Sequence, residues 1–510
     1  MSILNIHITF MKDKGCSKDM SFGDCELAIL RMQVDKAQEK VGKVAVNSPE
    51  VKEMITIVEN FVKQKSLVCY GGISINALLP DDHKIYNQDV DLPDYDFFSP
   101  DALNDAKALA NMYHELGYSD VEARSGQHHG TYKVFVNYQG MADITSLPQD
   151  LYDIIKKKSV RVNGISHVDP NFLRMSMYLE LSRPAGDTSR WEKVMKRLTL
   201  INKFYPIDRS ACKNIKPLNN KEEFTNNAEL VEVVKDTLIN QGVVFFGGFA
   251  ISQYVNYMPN KKNSKITTHE SSYFDVISLN PETTAEILVE RLKDIKVNNV
   301  KIIKREPVGE IIPLHYEIKV GSRTVAFIYK PVACHSYNII KIKNQSVKIA
   351  TIDTMLSFYL AFLYSNRPYF SSHSNRILCM AEFLFDVQNK NRLKQDGLLQ
   401  RFSITCYGKQ ETVEEIRAEK AAKFKEMKDK RGTPEFEEWF LNYKPGDPIF
   451  KPKEEKPKTN ITKPPREQND NKPIKYFKNT KRKKHFRPRT KKPYGNFFWG
   501  NKKTQKQKYY

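Results

Sequence analysis

Long hydrophobic runs are missing from this chain: none approaches the roughly 18–20 residues that a membrane-spanning helix needs. The N-terminus also lacks the basic, apolar and small-residue succession of a secretory signal, so export is not expected. Cysteine is sparse and unpatterned. The seven cysteines, at 16, 25, 69, 212, 334, 379 and 406, form no C-x-x-C pair. That spacing speaks against a zinc site and against a disulfide framework, and for reduced thiols in a cytosol-like compartment.

Acid is scarce at one end. Residues 451–510 hold 21 Lys and Arg against 4 Asp and Glu, so they carry +17 of the formal +21 of the 510-residue chain. The preceding residues are nearly balanced, and the basic character belongs to the tail. With seven prolines and little apolar content, that tail cannot offset the entropy of ordering and is expected to be disordered when free. Its aromatics (Tyr476, Phe477, Phe486, Tyr494, Phe497, Phe498, Trp499) alternate with basic residues. Basic residues neutralise phosphates, and exposed rings stack on single-stranded bases for about 1–3 kcal/mol each. A solubilising or nuclear-targeting extension is the plainer alternative, since Lys481-Arg482-Lys483-Lys484 suits that role too.

What the chain does contain is one pattern written twice. Residues 68–77 read Val-Cys-Tyr-Gly-Gly-Ile-Ser-Ile-Asn-Ala, and residues 244–252 read Val-Phe-Phe-Gly-Gly-Phe-Ala-Ile-Ser. Asp94-Tyr95-Asp96-Phe97-Phe98-Ser99 is answered by Tyr273-Phe274-Asp275-Val276-Ile277-Ser278, and Met141-Ala142-Asp143-Ile144 by Val325-Ala326-Phe327-Ile328. Ser182-Arg183-Pro184 with Arg190 is answered by Asn366-Arg367-Pro368 with Arg376. The offset rises smoothly, from 176 residues at Gly71/Gly247 to 186 at Arg190/Arg376. A duplicated domain is expected, with Asp94 mapping to Tyr273 and Asp143 to Phe327. Features kept in both copies are then fold, and acids present only in the first are chemistry.

Periodicity supports a mixed α/β sheet, not a helical bundle. Apolar residues recur at three and four between about Asp24 and Lys65, with Ser48-Pro49 as a helix start. A strand at 67–70 meets Gly71-Gly72, and a short helix follows over 73–79. Strands are expected at 95–98, 132–138 and 141–145, the last two joined at Gln139-Gly140. Helices are expected at 101–116, 171–181 and 191–204. The second copy repeats this order: strands near 243–248, 273–278, 314–320 and 323–330, and helices at 281–293, 353–364 and 374–388. Glu411–Lys430 is a charged helix candidate. The resulting organisation is an N-terminal helical region (1–66), a catalytic domain (67–205), a linker (206–239), a degenerate copy (240–400), a charged helix and connector (401–450) and the tail (451–510).

The first copy carries a specific constellation. In a strand, side chains two apart point to one face, so Asp94-x-Asp96 presents two carboxylates together. Asp143, expected on a neighbouring strand, adds a third. Hard oxygen ligands converging in this way suit two Mg²⁺ or Mn²⁺ ions. The Gly-Gly pair before a short helix offers close backbone approach and unpaired N–H groups to a triphosphate, and Ser74 adds a hydroxyl. A lone D-x-D or a lone Gly-Gly would read as a turn; their order along one sheet is what carries weight.

Gly71-Gly72, Asp94-x-Asp96 and Asp143 resemble the nucleotidyltransferase superfamily that includes DNA polymerase β and the poly(A) polymerases. The wording Cys-Tyr-Gly-Gly-Ile-Ser-Ile-Asn-Ala and Asp-Tyr-Asp-Phe-Phe-Ser, within a duplicated arrangement, resembles the poly(A) polymerase catalytic subunits of large DNA viruses, nearer the giant-virus than the poxvirus type. The resemblance covers roughly residues 20–400. It implies transfer of AMP from ATP to an RNA 3′ end with release of pyrophosphate. Asp94, Asp96 and Asp143 would be the metal ligands, with Asp143 toward the primer hydroxyl, and Gly71, Gly72 and Ser74 would lie at the triphosphate. It also implies a cytoplasmic or viral-factory location, or packaging in the virion, and a homodimer. The Pro80–Pro93 segment is long for the superfamily, and Asp81, Asp82, Asp89 and Asp91 within it are read as loop charges. Another terminal transferase, of uridylyl or tRNA-end type, and a non-catalytic RNA-binding scaffold are the rival readings.

Other polar residues are read as structural. His128-His129 lacks a third ligand at metal spacing, Arg174 suits packing more than base contact, and Arg183 and Arg190 have counterparts in the second copy. Lys156-Lys157-Lys158 with Arg161 fits a solvated turn and a phosphate contact equally.

Overall fold

The computed structural model describes residues 20–46, 48–86, 95–208, 210–212, 228–258, 273–371 and 373–447. The expected tail lies outside the described residues, as do Asp89, Asp91 and Asp94.

The first half of the described chain builds an eight-stranded mixed sheet from β1 (Val68–Cys69), β2 (Tyr95–Ser99), β3 (Val121–Ser125), β4 (Thr131–Val136), β5 (Gln139–Ser146), β6 (Val160–Val162) and β7 (Ile165–His167). The second half builds another from β8 (Val244–Phe246), β9 (Phe274–Ile277), β10 (Val300–Arg305), β11 (His315–Val320), β12 (Arg323–Tyr329), β13 (His335–Ile342), β14 (Gln345–Ala350) and β15 (Cys406–Tyr407). A last strand, β16 (Asn442–Tyr443), pairs antiparallel with β3 and completes the first sheet.

The strand order β3-β4-β5-β2-β1-β7-β6 recurs as β10-β11-β12-β9-β8-β14-β13. Directions recur with it. β2 is parallel to β5 as β9 is to β12, β1 is antiparallel to β2 as β8 is to β9, and β1 is parallel to β7 as β8 is to β14. The mixed α/β fold is therefore as expected, and each half repeats the topology of the other.

Sequence pattern and structure agree where the chain is strongly periodic. Helix Pro49–Lys65 begins at its proline and buries Val51, Met54, Val58, Phe61 and Val62 against the first sheet. Ser48 occupies the cap position but its side chain makes no cap bond. The helix stops at Ser66, which turns into the left-handed region at φ 51°. Helix Ala102–Glu115 ends before Gly117, at φ +98°. The charged helix Val413–Met427 opens with a capping box between Thr412 and Glu415.

Two expectations are corrected. The hairpin joining β4 to β5 turns at Asn137-Tyr138, not at Gln139-Gly140; both residues have positive φ (49° and 64°), the geometry of a two-residue hairpin turn that matches strand twist. The thiols are not all reduced either. Cys334 is bonded to Cys406 and Cys212 to Cys379, with Cα atoms 5.2 and 5.3 Å apart, while Cys69 is free and buried. Linear spacing does not reveal such pairs. They are 72 and 167 residues apart, and the first is brought together by pairing of β13 with β15.

The halves are packed into one body. Helix Pro170–Leu181 of the first half lies against helix Ile352–Phe362 of the second. Tyr364 donates to Asp169 Oδ2 at 2.6 Å, and Ser336 N–H donates to Ser182 O at 2.8 Å. The segment 434–443 returns to the first sheet, where Tyr132 donates to Glu438 O and Tyr443 to Asn111 Oδ1. Among the described residues no helix is long and apolar enough to cross a membrane.

Candidate functional site

The site is built on β2 and β5. Strand alternation buries Tyr95, Phe97, Ala142 and Ile144, and leaves Asp96 and Asp143 partly exposed on the opposite face. In the parallel register the two acids are direct partners, so their carboxylates emerge side by side from adjacent strands. Lys133, opposite Asp143 on β4, donates to Asp143 Oδ2. An ammonium already sits where a cation is wanted. Thr131 and Thr145 continue this face, their hydroxyls 3.1 Å apart.

Chain geometry then brings a helix start over these acids. Tyr70 N–H donates to Asp96 O at 2.9 Å, which ties the end of β1 to β2. The Tyr70 ring stacks on Phe98 at 4.0 Å, and its hydroxyl lies 2.9 Å from Thr145 Oγ1. Burial, reinforced by the Asp96 charge, keeps that phenol well above its ordinary pKa and so protonated. Gly71 follows at φ +67° and begins helix Gly71–Leu78. A Cβ at Gly71 would stand 2.6 Å from Asp96 Oδ2, so only glycine lets the backbone and carboxylate approach this closely. A Cβ at Gly72 would meet the Tyr86 hydroxyl at 2.0 Å. Tyr86 in turn accepts from Arg197 Nη2 at 2.9 Å.

Gly71, Gly72, Asp96 and Asp143 thus converge. Ser74, expected at the triphosphate, is instead fully buried, with its hydroxyl 3.0 Å from His167 Nδ1. As the fourth residue of the helix it faces inward toward β7, not out over the acids. Burial, with Lys84 nearby, pushes the His167 pKa down to about 4 and keeps the ring neutral. Asp94, the remaining expected ligand, directly precedes β2 in sequence but lies outside the described residues.

Paired carboxylates on one sheet face, already attracting a lysine ammonium and abutting a glycine cradle, are a donor set that fits hard divalent cations. Sequence reasoning missed Lys133, Thr145 and Tyr86. Lys133 could have been found only once the β4–β5 register was fixed.

The remaining expectations are placed as follows. Arg174 is 2% exposed and donates to Asn202 and Asn171, each at 2.7 Å, so it holds two helices together. Arg190 pairs with Glu180 at 3.3 Å. His129 lies against the Trp439 ring at 4.2 Å. Lys158 reaches across to Leu363 O in the second half.

The second half shows the same frame without the acid pair. Gly247, at φ +79°, would place a Cβ 2.2 Å from Asp275 Oδ2. The strand partner of Asp275, in the position of Asp143, is Phe327.

Known proteins resemble this chain in sequence and in fold. Residues 56–187 match the family "Poly(A) polymerase catalytic subunit". A protein of Acanthamoeba polyphaga mimivirus described as a poly(A) polymerase catalytic subunit is 27% identical over 223 residues, 42% of this chain and 37% of that protein. A counterpart from African swine fever virus is 31% identical over 181 residues, 34% of this chain and 38% of the relative. The chain therefore matches less than two fifths of the length of these curated relatives. The crystal structure of the Megavirus polyadenylate synthase shares the fold at a TM-score of 0.69 and 21% identity, covering 82% of this chain and 89% of that one. The resemblance to the poly(A) polymerase catalytic subunits of large DNA viruses is borne out.

Proposed function

We propose that the chain is a template-independent polynucleotide adenylyltransferase, which extends RNA 3′ ends with AMP from ATP and releases pyrophosphate. The observation that carries the reading is the pairing of Asp96 with Asp143 on parallel strands beneath the glycine start of helix Gly71–Leu78, inside the matched segment 56–187.

The chemistry follows from what each group offers. The RNA 3′-hydroxyl attacks the α-phosphorus of ATP in line, and the bond to the pyrophosphate leaving group breaks. Asp96 and Asp143, with Asp94, would hold two Mg²⁺ or Mn²⁺ ions, which when bound would ease deprotonation of the hydroxyl and neutralise the triphosphate. The N–H groups of Gly71 and Gly72, at the helix start, donate to triphosphate oxygens. Lys133 orients the Asp143 carboxylate on the face where a divalent cation would be held. Ser74 acts at one remove, pinning the helix to β7 through His167.

The catalytic unit is assigned to 67–205 and the inert copy to 240–400, as the products of a duplication. The basic tail, 451–510, tethers product RNA by raising its effective concentration. The protein works as a homodimer in a cytoplasmic setting; Phe22, Leu27, Leu30 and Val34, exposed on helix Phe22–Val46, give a second copy an apolar face to cover.

The test is extension of a short labelled RNA with each of the four nucleoside triphosphates separately, in Mg²⁺ and in Mn²⁺. Long ladders with ATP alone support adenylyl transfer. Ladders with UTP or CTP instead point to another terminal transferase, and no extension with any nucleotide contradicts the proposal.

A further inference from the structure

In the second half, the region corresponding to the acid pair is hollow. A cavity of about 320 Å³ is lined by Tyr273 and Asp275 at β9, Arg323 at the start of β12, Tyr359, Tyr369 and Arg376. That volume lies at the lower end for small-molecule sites, which run from about 300 Å³ upward. Its walls are largely aromatic: Tyr273 and Tyr369 pack edge to face at 5.6 Å, and Phe362 stacks on Phe370 at 4.3 Å behind them. Two polar groups are committed to this interior. Tyr359 is 1% exposed, and its hydroxyl has no hydrogen-bond partner among the described residues. Asp275 is 7% exposed.

A metal reading fails here, because the positions of Asp94 and Asp143 are taken by Tyr273 and Phe327. One carboxylate does not hold two cations. Positive charge comes instead from side chains, Arg323 and Arg376. Arg376 lines the cavity and lies close enough for its charge to act on Asp275.

We propose that this cavity binds one adenine nucleotide unit, free or at the end of an RNA, without a divalent cation. The aromatic walls take the flat base, and the arginines take the phosphate that metal ions neutralise in the first half. Burial holds the Asp275 carboxyl well above its ordinary pKa, against the opposing pull of Arg376, which favours the protonated form. A protonated carboxyl sets a donor beside an acceptor. The N7 and N6–H₂ edge of adenine presents the complementary acceptor and donor. The Tyr359 hydroxyl gains the partner that it otherwise lacks.

The experiment is calorimetric titration of the full chain with AMP, with GMP and UMP as comparators, and with a short oligoadenylate, all in EDTA. Wild type, Asp96→Asn/Asp143→Asn, Arg376→Gln and Met380→Trp, which fills the cavity from a residue of its lining, are compared. One equivalent of AMP is expected to bind in EDTA to wild type and to the double variant, more tightly than GMP or UMP. Arg376→Gln and Met380→Trp each weaken it at least tenfold while leaving the thermal midpoint near wild type. Tighter binding of oligoadenylate than of AMP identifies an RNA end as the source, and the reverse identifies the free nucleotide. The proposal is overturned if AMP binds only with Mg²⁺, if the double variant abolishes binding, or if both cavity variants bind as wild type does. Because the readout is metal-free binding, its failure is distinct from failure of the adenylyl-transfer reading, which primer extension reports.

Discussion

Asp96 and Asp143 are cross-strand partners in parallel register, and Lys133 on the next strand closes on Asp143. Removing either carboxylate charge while keeping its shape, with Asp96→Asn or Asp143→Asn, should reduce AMP transfer on the order of a hundredfold or more. Circular dichroism and the thermal midpoint should stay near wild type, since both side chains are partly exposed. Lys133→Met removes a competitor for Asp143, so the Mg²⁺ concentration for half-maximal binding should fall, as metal titration by calorimetry would read.

The two glycine helix starts make a matched pair. Gly71 and Gly247 both have positive φ, and a Cβ at either would press on the following aspartate, Asp96 or Asp275. Alanine at either site should lower stability by about 1–2 kcal/mol from backbone conformation alone. Activity per folded molecule should fall sharply only for Gly71→Ala, because only Asp96 belongs to the proposed transfer site. Urea unfolding alongside primer extension separates the two effects.

Acid sensitivity follows from buried histidines. Burial, with the Arg183 charge nearby, drives the His335 pKa down to about 3 from an ordinary 6.5. A depressed histidine pKa means that the unfolded chain takes up the proton first. The stabilisation is whole above about pH 6.5 and is lost as pH falls toward 3, by up to about 1.4 kcal/mol per pH unit. His167 and His315, each pushed down to about 4, act in the same direction. His335→Phe keeps a ring beside Phe358 without a titrating nitrogen, so its urea midpoint should fall less steeply between pH 6.5 and 4.

The halves should not separate cleanly. A fragment ending near residue 205 would expose the face of helix Pro170–Leu181 that meets Ile352–Phe362, and would lose β16 from the sheet edge. Limited proteolysis should find that fragment far more sensitive than the intact chain. A fragment as resistant as the whole would contradict the packing.

What the sequence made legible was whatever repeats locally. The Gly-Gly helix starts, the paired aspartate strand and the amphipathic helices each carry their signal within a dozen residues. What it hid depends on long-range register. Lys133 meets Asp143 only after β4 pairs with β5, Cys334 meets Cys406 only after β13 pairs with β15, and β16 joins β3 from more than 300 residues away. Ser74 was misplaced for a related reason: its position near Gly-Gly suggested the triphosphate, but helical phase turns it toward His167.

The most direct test of the central claim is incorporation of radiolabelled AMP from ATP into an RNA primer by wild type, Asp96→Asn and Asp143→Asn, at matched folded concentration. The account predicts processive incorporation by wild type and near-background incorporation by both variants. Wild-type incorporation that persists undiminished in both variants would contradict it.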